Sequence, residues 1–220
     1  MLIPQRAGVM ILESACLLPH ALLPLFIFEP RYRAMLAGAL ESHRMFCVAL
    51  QKPGSSRESP LPVATLGLVR ASVRNPDGTS NLVLQGVARV RLGRANQLEP
   101  YRVHPLAPVV PAAESTPKVD ALRSRVIDLV DYRLRQGSAV HPEMVRQIAD
   151  ATGNPSATVD DCLRVLRDMP DPGKMADFVA LLLLKDPSAR FAIQQSVGVE
   201  ERLRNLVGFL LPGHSGTTAG

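Results

Sequence analysis

With 220 residues, 46% of them apolar and 20% charged, the chain carries enough apolar material for one large domain or two small ones, which excludes a disordered polypeptide. Its formal charge of +5 comes from 25 Lys and Arg against 20 acids. Lysine occurs only at positions 52, 118, 174 and 185, so the excess is carried by dispersed arginines, open equally to a nucleic-acid reading and to a base composition rich in arginine codons.

At the N-terminus, Pro4, Arg6, Glu13, Pro19 and His20 interrupt every hydrophobic run, so Met1 to Leu25 reads as mature sequence entering a fold and not as a signal peptide. Phe26 to Arg33 places Glu29, Arg31, Tyr32 and Arg33 beside phenylalanines 26 and 28, expected to be buried. Two readings apply: a structural one, with Glu29 paired to an arginine and Tyr32 packed on the sheet, which is preferred, and a ligand-facing one. Tyr32, Met35, Leu36 and Leu40 fall at helical spacing, and Phe46 to Leu50 reads as a short buried strand before a polar loop, Lys52 to Pro60. Thr65 to Arg74 and Ser80 to Leu92 flank Asn75-Pro76-Asp77-Gly78, which predicts a hairpin. Arg89 and Arg91 alternate with Val90 and Leu92, so they share a strand face, most often the solvent face, with a binding patch as the alternative.

The Pro-rich segment from Pro105 to Pro117 marks a boundary, after which the period becomes helical. Leu122, Val126, Leu129 and Val130 form a stripe behind Thr116-Pro117 that predicts a helix to about Gln136, followed by a shorter one around Met144 to Ala149. Val159, Cys162, Leu163 and Leu166 form the next, with Asn154-Pro155-Ser156 as its initiator. Asp171-Pro172 starts a helix through Leu184 that is apolar nearly all round. Its apolar run, Phe178 to Leu184, is far short of the roughly 20 residues that a membrane span needs. Asp186-Pro187 restarts the chain into Phe191 to Val197, and Val199, Leu203, Leu206, Val207 and Leu210 mark a last helix closed by Pro212-Gly213. The expected division is residues 1–113, 114–213 and a disordered tail, 214–220. Cys16, Cys47 and Cys162, odd in number and set among apolar residues, suit reduced buried thiols of a cytoplasmic protein.

In order along the chain, several segments resemble the N-terminal substrate-binding domain of the Lon proteases. Leu23-Pro24-Leu25-Phe26-Ile27-Phe28-Glu29-Pro30-Arg31-Tyr32-Arg33 is similar to the opening of that family, and Thr65-Leu66-Gly67 to its next strand. Gly86-Val87-Ala88-Arg89-Val90 resembles its G-x-x-R-[VF] strand, and Glu99-Pro100-Tyr101 its E-P-Y step. Met175-Ala176-Asp177 and Val199-Glu200-Glu201-Arg202-Leu203 resemble two C-terminal helices, whereas Gln194-Gln195-Ser196 and Arg135 to Asn154 depart from the pattern. The resemblance implies an α+β fold, a PUA-like six-stranded β pseudo-barrel followed by an α-helical bundle, in a stand-alone member lacking the ATPase and protease domains.

The chemistry those absent domains require is not written in these residues. There is no G-x-x-x-x-G-K-[ST] loop to cradle a triphosphate, and none of the four lysines sits in a Ser-Lys dyad motif. His20, His43, His104, His141 and His214 are scattered, so no metal or cofactor is expected. Asp160-Asp161 and Glu200-Glu201 read as helix N-terminal acids, and Asp128, Asp131, Arg125, Arg133 and Arg135 as helix-face pairs. The expectation is a non-catalytic module that binds unfolded or peptide segments and serves a protease, without a membrane and in an oligomeric state the sequence leaves open. Its candidate binding residues are Phe26, Phe28, Glu29, Arg31, Tyr32, Arg89 and Arg91. The alternatives are RNA binding, disfavoured by only three Tyr, six Phe and no Trp, and an adaptor docking onto a folded partner.

Overall fold

The structure, a computed structural model, describes residues 2–55, 58–110 and 116–212. It divides into two compact units, residues 1–110 and 111–220. The boundary expected at 113/114 and the tail 214–220 lie outside the described residues.

The first unit holds strands β1 (Arg6–Leu12), β2 (Leu22–Ile27), β3 (Met45–Gln51), β4 (Pro60–Arg74), β5 (Ser80–Leu92) and β6 (Val103–Pro108), with helix α1 (Pro30–Leu40) between β2 and β3. Their order is β2-β5-β4-β3-β1-β6, and β5 also pairs with β6. The length of β5 makes this possible: Ser80 to Gln85 pair with β2, and Val90 to Leu92 with β6. Five strands therefore close into a barrel, and β2 hangs from the first half of β5. β1 and β3 run parallel, Val9 opposite Cys47, joined by the crossover that parallel pairing requires.

β3 is buried on both faces, which is why it reads as an unbroken apolar run. Phe46 and Val48 join Tyr32, Met35, Leu36 and Ala39 of α1, while Met45, Cys47 and Ala49 meet Val9, Ile11, Ala64, Leu66 and Val90 inside the barrel. The β4–β5 hairpin turns as expected: Asn75 N–H donates to Thr79 O at 2.9 Å and Gly78 takes φ +81°. Gly86 is fixed by proximity, because a Cβ there would lie 2.1 Å from the carbonyl oxygen of Leu18.

Two prolines hid β6, whose residues fall partly in the segment expected as a linker. Pro105 cannot donate to its neighbour across the ladder, Gly93, but its own oxygen accepts from Gly93 N–H at 2.9 Å. The Gly93 carbonyl is satisfied instead by the Nδ1–H of His104 at 2.8 Å. Pro108 lies beyond the last β1–β6 pair, Arg6 with Pro105, so it breaks no bond to β1.

The second unit holds α2 (Pro117–Arg135), α3 (Pro142–Thr152), α4 (Val159–Asp168), α5 (Pro172–Leu183), α6 (Pro187–Gln195) and α7 (Val199–Leu210). Helix α7 packs against α2, α5 and α6, and α4 against α2 and α3. Thr116, Asp171 and Asp186 cap α2, α5 and α6 through their side chains. The start of α4 differs from expectation. Thr158 and Asp161 form a reciprocal capping box, and Asn154 supports it from outside by donating to Asp161 Oδ2 at 2.7 Å.

Arginines close the C-terminal ends of α4, α5, α6 and α7. Arg123 donates to the carbonyls of Arg167 and Met169, both at 2.7 Å, Arg133 to those of Leu210 and Leu211, both at 3.0 Å, and Arg190 to that of Leu184 at 2.6 Å. Arg202, only 1% exposed, reaches Ser196 O at 3.1 Å, Gly173 O at 3.2 Å and the carboxylate of buried Asp177 at 3.4 Å. The arginine bias of this half thus satisfies C-terminal carbonyls and complements helix dipoles.

Candidate functional site

Strand β2 is the open edge of the sheet, and its chemistry follows from its register. Gly86 N–H donates to Ala21 O and His20 N–H to Gly86 O, each at 2.9 Å. Pairing alternates from there, so Leu23, Leu25 and Ile27 bond to β5 while Leu22, Pro24 and Phe26 turn their backbone groups away from it. Pro24, in the middle of that edge, has no N–H to offer.

The side chains alternate in the same way. Leu23, Leu25 and Ile27 pack on the α1 cluster, and Leu22, Pro24 and Phe26 stand on the outer face. Phe26 is 54% exposed, Phe28 59% and Val73 64%, with the two phenyl rings stacked at 6.0 Å. This corrects the expectation of buried phenylalanines: on an edge strand the inward places are already filled by residues 23, 25 and 27. Across the sheet, Pro24 lies opposite Val83 and Val83 opposite Ala71, while Phe26 lies opposite Asn81 and Asn81 opposite Val73. These residues line a shallow, mainly apolar groove of about 480 Å³.

Behind this face, Glu29 and Arg31 of the Phe26–Arg33 segment are occupied. Arg31 donates from Nε to Glu29 Oε2 at 2.8 Å and grips Glu58 with both terminal nitrogens, one at 2.9 Å. The guanidinium also lies 4.5 Å from the Tyr32 ring centroid. Arg31 holds the Glu58 carboxyl below its usual range, and the paired carboxylates raise the arginine in turn. Tyr32 is buried, its hydroxyl donating to Ile11 O at 3.2 Å and accepting from Ile11 N–H at 3.3 Å, and burial pushes its phenol up. Glu29, Arg31 and Tyr32 therefore position the segment and pin the loop before β4.

Arg89 and Arg91 lie at the far end of β5 from the groove and do not share one environment. Arg91 is exposed, but Arg89 is buried where the chain after β6 returns past it, Val109 N–H donating to Arg89 O at 3.0 Å. The expectation of a shared solvent face fails for Arg89. Of the candidate residues, the groove takes Phe26, with Phe28 beside it. Sequence reasoning missed Val73 and Val83, although their signal was present: both are apolar on the hairpin face opposite Leu82 and Leu84.

A second concavity, of about 780 Å³, lies between the start of β1, the end of α1 and the chain before β6. Its polar groups serve the protein's own backbone: His43 Nδ1 accepts from Met45 N–H at 3.1 Å, Ser42 donates to Gly38 O at 2.8 Å and Gln97 to Tyr101 O at 3.0 Å. Burial lowers the His43 imidazole. Among the described residues no group of three or more His, Cys, Asp and Glu could hold a metal, and no helix is long and apolar enough to cross a membrane. Cys47 and Cys162 are buried thiols, burial pushing that of Cys162 up to about 11, whereas Cys16 is only half-buried.

The chain is thus an α+β protein in which a closed sheet, carrying β2 on β5 and an apolar outer face, is followed by an all-helical unit. The model of the family described as the ATP-dependent protease La (LON) substrate-binding domain matches residues 7–211, and the chain belongs to that family. It is similar to the Lon protease of Dictyoglomus thermophilum, 22% identical over 94% of this chain and 24% of that protein. It is likewise similar to the Lon protease of Desulfovibrio desulfuricans, 30% identical over 81% of this chain and 19% of that protein. The chain thus spans about a quarter or less of the length of these relatives. Among solved structures, the N-terminal domain of the Mycobacterium avium complex Lon protease shares the fold, with a TM-score of 0.68 at 17% identity over 93% of this chain and 97% of that one. A Lon N-terminal domain protein from Xanthomonas campestris gives 0.61 at 18% identity over 93% and 98%.

Proposed function

We propose that this chain is a non-catalytic cytoplasmic module that takes up apolar polypeptide segments on the outer face of β2, β5 and the end of β4, and so recruits clients to a proteolytic system. The observation that carries the reading is the exposure of Phe26, Phe28 and Val73 around one apolar groove in a domain of the Lon substrate-binding family. Contacts made by side chains suit the task, because both neighbouring backbone edges are blunted. Pro24 interrupts the edge of β2, and a bulge between Val69 and Ala71 interrupts that of β4. Recognition through a face of aromatic and branched side chains is weak and tolerant of sequence, as the capture of many clients requires.

Fluorescence anisotropy with labelled unfolded polypeptides and, in parallel, single-stranded and hairpin RNA tests the reading at two salt concentrations. Saturable peptide binding that persists at the higher salt and falls at least about tenfold in the Phe26→Asp, Phe28→Ser double variant, with an unchanged melting temperature, is the expected result. Tight RNA binding that weakens steeply with salt would replace it with a nucleic-acid function. Silence toward both would leave docking onto a folded partner.

A further inference from the structure

We infer that Asn81 reads the main chain of the segment seated on this face, so that clients are recognised through an extended, non-proline backbone as well as through their apolar side chains. The inference rests on the polypeptide-binding reading and deepens it. Phe26, Asn81 and Val73 stand side by side on the outer face of β2, β5 and β4, since Asn81 is the register partner of both others. One step along the strands, Pro24, Val83 and Ala71 form the next row. All six residues line the groove, and only Asn81 among them is polar. Ser72 also borders the groove, but it lies opposite Leu82 of the α1 cluster, so its hydroxyl belongs to the other face of the sheet. The Asn81 carboxamide is exposed at the middle of the three strands and has no hydrogen-bond partner among the described residues.

The backbone beneath this face has nothing to offer a ligand. Phe26 turns its own groups away from β5, so those of Asn81 face Val73 and are used within the sheet. A segment laid along β5 loses water from the N–H and C=O groups that it turns to the floor, and a peptide group left unmet there weakens binding about tenfold. A carboxamide carries the same donor and acceptor as a peptide group, so Asn81 accepts from the N–H and donates to the C=O of one residue of the segment. With its main-chain groups turned down, an extended segment sends its side chains alternately to the two sides. On one side lies Phe26 with Phe28 stacked on it, and on the other Val73. The apolar margins then hold the side chains, and the central amide holds the part that every client has in common. Proline is excluded at the position read, because it has no N–H.

The test uses the full chain, as the parent protein and as Asn81→Leu, with a short labelled peptide whose single apolar pair fixes one register, and with the same peptide N-methylated at one backbone nitrogen at a time. Leucine enlarges the apolar face, so a face that binds through side-chain contact alone would hold the peptide at least as tightly after the exchange. The expected result has the opposite sign: anisotropy reports binding about tenfold weaker in Asn81→Leu, with an unchanged melting temperature. In the parent protein, N-methylation at one position costs about tenfold and its neighbours cost little, and in Asn81→Leu that position becomes neutral. Equal or tighter binding by Asn81→Leu would overturn the inference and leave the polypeptide-binding reading standing. Should Asn81→Leu not fold, the N-methyl series on the parent protein decides, and a uniform response along the peptide overturns the inference. If no peptide saturates on the parent protein, the reading itself fails, and the inference with it.

Discussion

Arg202 and Asp177 sit one on each of the two helical segments that carried the family resemblance near the C-terminus, and their contact at 3.4 Å ties α7 to α5. Each is almost fully buried, and the guanidinium also serves the carbonyls of Gly173 and Ser196. Arg202→Met takes the guanidinium away from buried Asp177 and from these carbonyls, so urea unfolding is expected to report a loss of about 3–5 kcal/mol. Arg202→Lys restores charge without the fork and recovers only part of it. Gly86, from another motif, has a different logic. Gly86→Ala drives a methyl against the Leu18 carbonyl and is expected to cost about 1–3 kcal/mol on the same assay. The Arg31–Glu58 tie responds to pH. Its carboxyl is depressed in the folded state, so its contribution is complete above the ordinary Glu pKa and is lost as pH falls through the lower, folded value. Both partners are more than a third exposed, so the tie is worth no more than about 1 kcal/mol. Glu58→Gln should flatten the acid limb of the melting temperature below about pH 4.5 and leave little other trace.

Elements were legible where local chemistry and burial agreed. α2, α4 and α7 announced themselves by apolar stripes, α5 by being apolar nearly all round and α6 by the Asp186-Pro187 restart, and in α2, α5 and α6 the capping residue was visible as well; in α4 the true cap, Thr158, lay two residues beyond the expected initiator. Thr158→Ala removes half of that capping box and is expected to lower stability by about 1 kcal/mol, read from denaturant unfolding. The β4–β5 hairpin was legible from its turn. β1, β2 and β6 were not read from their own residues, and for β2 and β6 the reason is proline: Pro24, Pro105 and Pro108 argue against a strand unless the neighbouring strand is known to be missing on that side. The same ignorance concealed the candidate face, since Phe26 can be read as core until β2 is seen to be an edge. Pro24→Thr would add an N–H in the middle of that edge. Concentration-dependent self-association in sedimentation velocity is the expected outcome, and a monomer unchanged from the parent protein would mean that Pro24 does not guard the edge.

At the scale of the molecule, each unit encloses its own core, and the barrel unit has two layers that share one strand. Phe46 and Val48 serve the α1 side of β3, while Cys47 and Ala49 serve the barrel interior, so β3 is the wall common to both. Phe46→Ala removes a fully buried ring from that wall and should cost about 3–5 kcal/mol, with little room to relax because the strand's opposite face is also filled. The helical unit draws its burial from a different set, with Leu166, Met175, Ile193, Leu203 and Leu206 all buried there. Hydrogen exchange therefore distinguishes the two cores. In Phe46→Ala, amides of β1 to β6 should exchange faster while those of α2 to α7 keep their protection, and Leu206→Ala should give the converse. Uniform loss of protection in either variant would mean that the units unfold as one cooperative body, so that a substitution at the groove is read by the helical bundle as well.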